Sequence, residues 1–223
     1  MKLNVTFSEN DLSFCPNFDK VLTVDTGTAK VQALLNGSLS GVYENAELTE
    51  LRMGAFAQCE NLTAIRLPNC TTFRQSRQLY DCKNVAELYL PKLAQMDDAT
   101  YSFQGLSKLK TIRLPELTTV PTGFGGTFWG CETVERIELP KLSGTPIQTF
   151  AFRNCRMLHT LILGGNTLNP LTNTNAFNSA GVASEKGLRI FVPDNLVQAY
   201  KTADGWSSLA NKIKPISELE EES

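Results

Sequence analysis

The chain predicts a mostly β solenoid of about six coils, each 23 to 25 residues long, closed by a short C-terminal helical cap. Three observations predict it. Phenylalanine-type positions recur at Phe56, Leu79, Phe103, Phe128, Phe152 and Phe177. Most of them open one phrase, Phe-x-x-Cys-x-x-Leu-x-x-Ile-x-Leu-Pro, so that Cys59, Leu62, Ile65, Leu67 and Pro68 align with Cys82, Val85, Leu88, Leu90 and Pro91 and again with Cys131, Val134, Ile137, Leu139 and Pro140. Within the phrase, Ile65 and Leu67 alternate with Ala64 and Arg66, which is strand period, and the proline ends the strand by removing a backbone donor.

Each coil therefore contributes one short strand. Because every coil turns the same way, the strands stack in parallel about 4.8 Å apart. A second apolar pair after the proline, Leu93 with Met96 or Leu117 with Val120, predicts another extended segment on the return side. Two coils depart from the phrase: Leu106 stands in the Cys slot, and Gly164 replaces the proline after Leu163. The sixth coil, from Phe177, reaches Ile190, Val192 and Pro193 late, so an insertion around Ser179 to Lys186 interrupts it. A lone coil buries too little apolar surface to fold, so both ends of the stack require caps.

The solenoid is expected over residues 44–193. Ahead of it, residues 1–43 carry alternating Leu3, Val5 and Phe7, then Phe14, Phe18, Val21, Leu22 and Val24, and read as a small β element that caps the first coil or anchors the chain to something larger. Residues 194–216 form the helical cap, with Asp194 as N-cap of a helix through Leu196, Val197, Ala199 and Tyr200, and with Trp206, Leu209 and Ile213 as apolar anchors. Residues 217–223 read as a disordered acidic tail.

With 21 basic and 23 acidic residues and a net charge of −2, the chain lacks the electrostatic footprint of a nucleic-acid binder. Its apolar runs fall short of a membrane span, so no membrane insertion is expected, and the opening Met1-Lys2-Leu3-Asn4 leads into no signal-peptide core. The expected location is a virion, a cell surface if a leader is missing, or otherwise the cytoplasm. Four of the six cysteines, Cys59, Cys82, Cys131 and Cys155, share one repeat slot, and Leu106 fills it once. Packing as small buried hydrophobes is the main reading. Bridging of Cys59 to Cys82 or Cys131 to Cys155, and metal binding, are the alternatives.

The phrase Ala-Phe-x-x-Cys-x-x-Leu-x-x-Ile-x-Leu-Pro, best seen from Ala55 to Pro68 and again from Ala151 to Leu163, resembles the BspA-like, or Treponema-type, leucine-rich repeats. The resemblance covers residues 48–193. It implies a bacterial or phage-borne, non-enzymatic interaction protein, of a kind associated with adhesion. The ending from Phe191-Val192-Pro193-Asp194 through Trp206 to Ile216 is similar to the terminal module of such repeat proteins. A shorter stretch, Asn4 to Asp11 with Phe14 and Phe18, is similar to the opening of some phage and prophage tail-associated proteins. That likeness implies a virion scaffold joined through residues 1–43.

Chemistry has few places to sit. His159, the single histidine, falls inside a repeat phrase and reads as a solvated strand-edge residue, Asp97-Asp98 as a solvated loop, and Gly123 to Gly126 as a flexible turn. No catalytic residue, metal or cofactor is implied. Binding is expected on the outward side of the strands, where Arg66, Tyr89, Arg113, Glu138, Ile162 and Phe191 form one row and Ala64, Glu87, Thr111, Arg136, Thr160 and Arg189 a second. Variable loops ahead of the Phe slots supply further candidates: Arg74 and Arg77, then Tyr101, then Phe124 leading to Trp129. The expected partner is a protein or a cell-surface glycan.

Overall fold

The computed structural model describes residues 39–219. The predicted N-terminal element lies almost wholly outside the described residues, as do residues 220–223 of the predicted tail. Parallel strands stack as the repeat requires. On one side of the coils lie β1 (Gly41–Glu44), β3 (Leu62–Arg66) and β5 (Glu87–Tyr89), followed by β7 (Thr111–Arg113), β8 (Arg136–Leu139), β9 (Thr160–Leu163), β10 (Arg189–Val192) and β11 (Ile213–Pro215). They form a three-stranded sheet, β1-β3-β5, and a five-stranded sheet, β7 to β11 in sequence order. The return side carries β2 (Glu50–Leu51), β4 (Thr72–Phe73) and β6 (Gln95–Met96), continued by isolated bridges from Gln95 to Thr119 and from Phe124 through Ile147 to Leu171.

Register follows the phrase: Ile65 pairs with Leu88, Ile112 with Ile137, and Ile137 with Leu161. β1 pairs with β3 in the same register, so the sheet begins at Gly41, ahead of the first full phrase. At the far end β11 pairs with β10, and the cap contributes a strand as well as a helix.

The core is the column of repeat slots. Rings stack from Phe103 to Phe128 at 5.4 Å, Phe128 to Phe152 at 5.3 Å and Phe152 to Phe177 at 5.1 Å, and the column ends on Trp206 of the cap at 5.7 Å. Each such contact adds about 0.5–1.5 kcal/mol to plain burial. Leu79 interrupts the column, and Phe73 from the return side reaches the Phe103 ring instead, at 5.8 Å.

The cap is fastened through one buried asparagine. The Tyr200 hydroxyl receives hydrogen bonds from the Asn169 backbone N–H and side-chain amide, both at 2.9 Å, while Trp206 Nε1 donates to the Asn169 carbonyl at 2.7 Å. Asn169 Oδ1 accepts from Thr145 N, so the network reaches back one coil. Asp194 does not cap the helix as expected. The helix spans Val197–Thr202 with Leu196 at its N-cap, and Asp194 opens a preceding 3-10 turn, Asp194–Leu196. Its carboxylate accepts from the Ser217 side chain and from the Ser217 N–H, the latter at 3.1 Å, and together they hold its pKa below the usual value. Those bonds order Ser217 and Glu218 in a 3-10 turn, Ile216–Glu218, so the tail's first residues belong to the cap.

Gly164 and Gly165 show why one coil loses its proline. A Cβ on Gly164 would collide with the Pro140 carbonyl, and one on Gly165 with the Leu142 carbonyl. Backbone approaches backbone there without room for any side chain. Gly165→Ala is accordingly expected to destabilise the fold by about 2 kcal/mol or more, read as a lower denaturant midpoint, whereas Gly187→Ala, with open space around its Cβ position but a left-handed φ of 62°, meets no collision and carries only the backbone strain of about 1 kcal/mol.

A cleft in the strand face is the candidate functional site

Every coil junction between the Phe slots is clamped at the same place. The Phe56 N–H donates to Gln78 O, Leu79 to Ser102 O, Phe103 to Thr127 O, Phe128 to Ala151 O and Phe152 to Ala176 O, all between 2.7 and 2.9 Å. The Cys slot adds a second tie. Cys82 Sγ donates to the Phe56 carbonyl at 2.8 Å, Cys131 Sγ to Phe103 at 3.0 Å and Cys155 Sγ to Phe128 at 3.0 Å. The slot is thus more than a small hydrophobe: its thiol joins each coil to the one before.

Leu106 has no thiol to offer Leu79. At this junction the strand face comes apart, because β5 and β7 belong to different sheets and, among the described residues, no backbone hydrogen bond joins them. Leu is also bulkier than Cys at a fully buried position, and Leu79 is smaller than the Phe it replaces. We attribute the opening to this pair of substitutions. The result is a cleft of about 600 Å³ lined by Glu87, Leu88, Tyr89, Lys110, Thr111 and Arg113 among others. Leu88 marks its floor: Ile65, Ile112, Ile137, Leu161 and Ile190 in the same slot are fully buried, while Leu88 is only partly so.

The candidate residues distribute unevenly around this cleft. Tyr89 is 51% exposed at its edge. Arg66 lies on the N-terminal side, holding Glu87 through Nε at 2.6 Å and Nη2 at 2.8 Å, with Glu44 at 3.5 Å. These bonds raise the Arg66 pKa and lower that of Glu87. Arg113 lies on the other side and pairs with Glu138 at 3.0 Å, and Glu138 also accepts from Arg136 Nε. Lys110 reaches Glu135 at 2.7 Å. The exposed pairs are worth little individually, while Arg136 and Glu138 are both mostly buried; together they fix side-chain directions on either side of the cleft.

Four residues expected to be exposed at the C-terminal end of the face are buried. Phe191 is 2% exposed, Ile162 7% and Thr160 1%, so neither row continues outward past β8. Arg189 turns its guanidinium over the Phe191 ring at 5.6 Å, and its Nε is buried without a hydrogen-bond partner. His159 is 6% exposed instead of solvated, with Nδ1 2.9 Å from the Thr160 hydroxyl. At the other end Ala64 is buried as well. Outward alternation gives accessibility only where nothing lies over the sheet, and period alone does not report that.

The loop candidates also separate. Arg74 is spent on Glu50 at 2.9 Å and Asp97 at 3.4 Å. Phe124 is fully buried, edge-on to Phe128 and Phe152, so the glycine-rich segment is a core insertion instead of a flexible turn. Arg77, Tyr101 and Trp129 come together as a strip along the turn side. Arg77 lies 5.5 Å from the Tyr101 ring, Tyr101 6.3 Å from Trp129, and Trp129 5.4 Å from Phe150, which Arg153 covers at 4.6 Å. Gly126 makes this packing feasible, since a Cβ there would enter the Tyr101 ring.

Among the described residues, no group of three or more His, Cys, Asp or Glu is placed to hold a metal ion, and no helix is long and apolar enough to cross a membrane. The five described cysteines are unbridged and buried.

Stacked parallel coils of one repeated phrase define a repeat protein of the solenoid class. The chain belongs to the BspA-type leucine rich repeat family, whose repeat matches in six copies over residues 32–159 and 99–185. That match begins beyond the stretch similar to phage tail-associated proteins. A search of the curated proteins finds no match. Among solved structures, the crystal structure of the T. pallidum leucine rich repeat protein is similar at 18% identity, covering 70% of this chain and 77% of that one, with a TM-score of 0.38.

The buried thiols make stability depend on alkaline pH. Contact with Cys59 and burial push the Cys82 pKa well up, burial and Cys131 do the same for Cys155, and burial raises Cys70 to about 11. Unfolding releases these thiols to ionise near their ordinary pKa of about 8.5. Above that pH the folded chain holds more protons than the unfolded one, so stability is full below it and falls as pH rises. Urea denaturation between pH 7 and 10.5 should show the midpoint dropping as the unfolding free energy falls by at most about 1.4 kcal/mol per pH unit for each thiol.

Proposed function

We propose that the chain is a non-enzymatic binding protein that engages a protein ligand across its strand face, centred on the cleft between β5 and β7. The cleft carries this reading: it is a concave opening of ligand-binding size, with the exposed Tyr89 at its edge and Arg113 beside it. Tyr and Arg are the residue types that supply interface hot spots, and a sheet holds them with little ordering cost. The burial of His159 against Thr160 favours binding over turnover, since a buried imidazole is poorly placed to act as a general base on a solvent-borne substrate.

Display on a phage or prophage particle is the setting we favour, on the likeness of residues 4–18 to tail-associated proteins; a bacterial envelope adhesin or a structural assembly component would use the same scaffold. Deleting residues 1–38 should release the protein from purified virions while leaving the described repeat body folded. Retention on the particle would remove the anchoring role from that segment.

The strand-face reading is tested with Arg66→Ala, Tyr89→Ala and Arg113→Ala combined. Binding of the labelled protein to target bacterial cells, measured by flow cytometry, is expected to weaken at least tenfold with the circular dichroism spectrum unchanged; undiminished binding rejects the face. A second reading, a glycan ligand, is favoured by the Tyr101, Trp129 and Phe150 strip, whose rings and neighbouring guanidiniums suit sugar faces and hydroxyls. Loss of binding after periodate treatment of the cells and in Trp129→Ala, with the triple variant unaffected, would assign the ligand to that strip.

A further inference from the structure

We infer that the cleft between β5 and β7 takes an extended peptide segment of the partner, inserted as a strand that completes the interrupted sheet; this rests on the cleft being the ligand site. Two strand edges face each other across the opening without a backbone hydrogen bond between them, whereas β3 and β5, β7 and β8, β8 and β9, and β9 and β10 all pair in register. Backbone N–H and C=O groups along a strand edge are a template for another strand. The turn side does not need to move, because Arg77 N to Thr100 O, Leu79 N to Ser102 O and Asp81 N to Gln104 O already join these coils at 2.8–3.0 Å.

The flanking residues specify the peptide. A residue lying level with Leu88 and Ile112 faces the core, and the partial exposure of Leu88 leaves an apolar side chain something to cover. Its neighbour toward the strand start stands beside Glu87, and its neighbour toward the strand end stands beside Arg113. Level with Glu87 the opposite wall carries the neutral Thr111, and level with Arg113 the near wall carries Tyr89 with Arg66 one strand further on. A parallel insert is therefore favoured when it reads basic, apolar, acidic, with β-branched or aromatic character at the centre.

The probe is the capped peptide acetyl-Thr-Thr-Lys-Val-Glu-Thr-Thr-amide, titrated calorimetrically into the full chain. Saturable one-to-one binding is expected, with slower amide hydrogen exchange at Leu88, Thr111 and Arg113, whose N–H groups point into the opening while that of Ile112 is turned to β8. A strand between two others uses N–H groups on both sides, so N-methylation at the valine should weaken binding at least tenfold. Leu106→Cys restores the thiol donor and removes the wedge, and should weaken it similarly. The N-methyl arm changes the ligand alone and reads independently of how that variant folds. Absence of binding, or indifference to N-methylation, overturns strand insertion. If the peptide fails while the triple alanine variant still loses cell binding, the strand-face site stands and only the insertion falls; if both tests fail, the cleft is not the site.

Discussion

The structure depends on the hydrogen bond from each Phe-slot N–H to the carbonyl just ahead of the next Phe slot. It recurs at every junction from Phe56 to Phe152, whatever the side chains around it do. A coil of 23 to 25 residues has no core of its own, so stability arises at junctions, and this is the tie common to them all. Ring stacking and thiol donation are built onto it. Both are local options: Leu79 drops the ring, Leu106 drops the thiol, and the ladder continues past each.

That division explains how a solenoid tolerates an opening in its strand face. If the strand ladder were the main tie, separating β5 from β7 would divide the protein. Here the turn side holds the two coils together, and Thr118 N to Ala94 O links them on the return side. The strand side is then free to diverge where the Cys and Phe slots are both irregular. The cost is local, falling on one half-buried leucine and on the strand-edge backbone groups that face each other across the opening.

Much of the fold was legible because repeat position and burial coincide. The slots from Phe56 to Phe177, the strand register and the return-side pairs Leu93 with Met96 and Leu117 with Val120 all follow from period. The cysteine slot was legible as packing, though its thiol-to-carbonyl bond was not, since a distance across coils has no signature within one phrase. Asn169 was missed for a related reason: it looks like an ordinary loop residue, and only the arrival of Tyr200 and Trp206 from the cap makes it a hub. The outward rows were legible as directions but not as surfaces. Phe191 and Ile162 point away from the core yet are buried, and apolar residues at outward positions were themselves a signal that this end is not a bare sheet.

Leu106 reverses the weight usually given to a repeat's exceptions. Read as sequence, it was one departure from the phrase, filling the Cys slot with another apolar residue. In the structure it coincides with the break between two sheets, and Gly164 likewise stands where two backbones come too close for a side chain. Positions that keep the consensus report how the scaffold holds together; those that break it mark where the scaffold departs from itself. A rigid stack of near-identical coils offers a partner the same surface many times over. Discrimination then requires a place where the repetition fails, and in the strand face that place is between Tyr89 and Arg113.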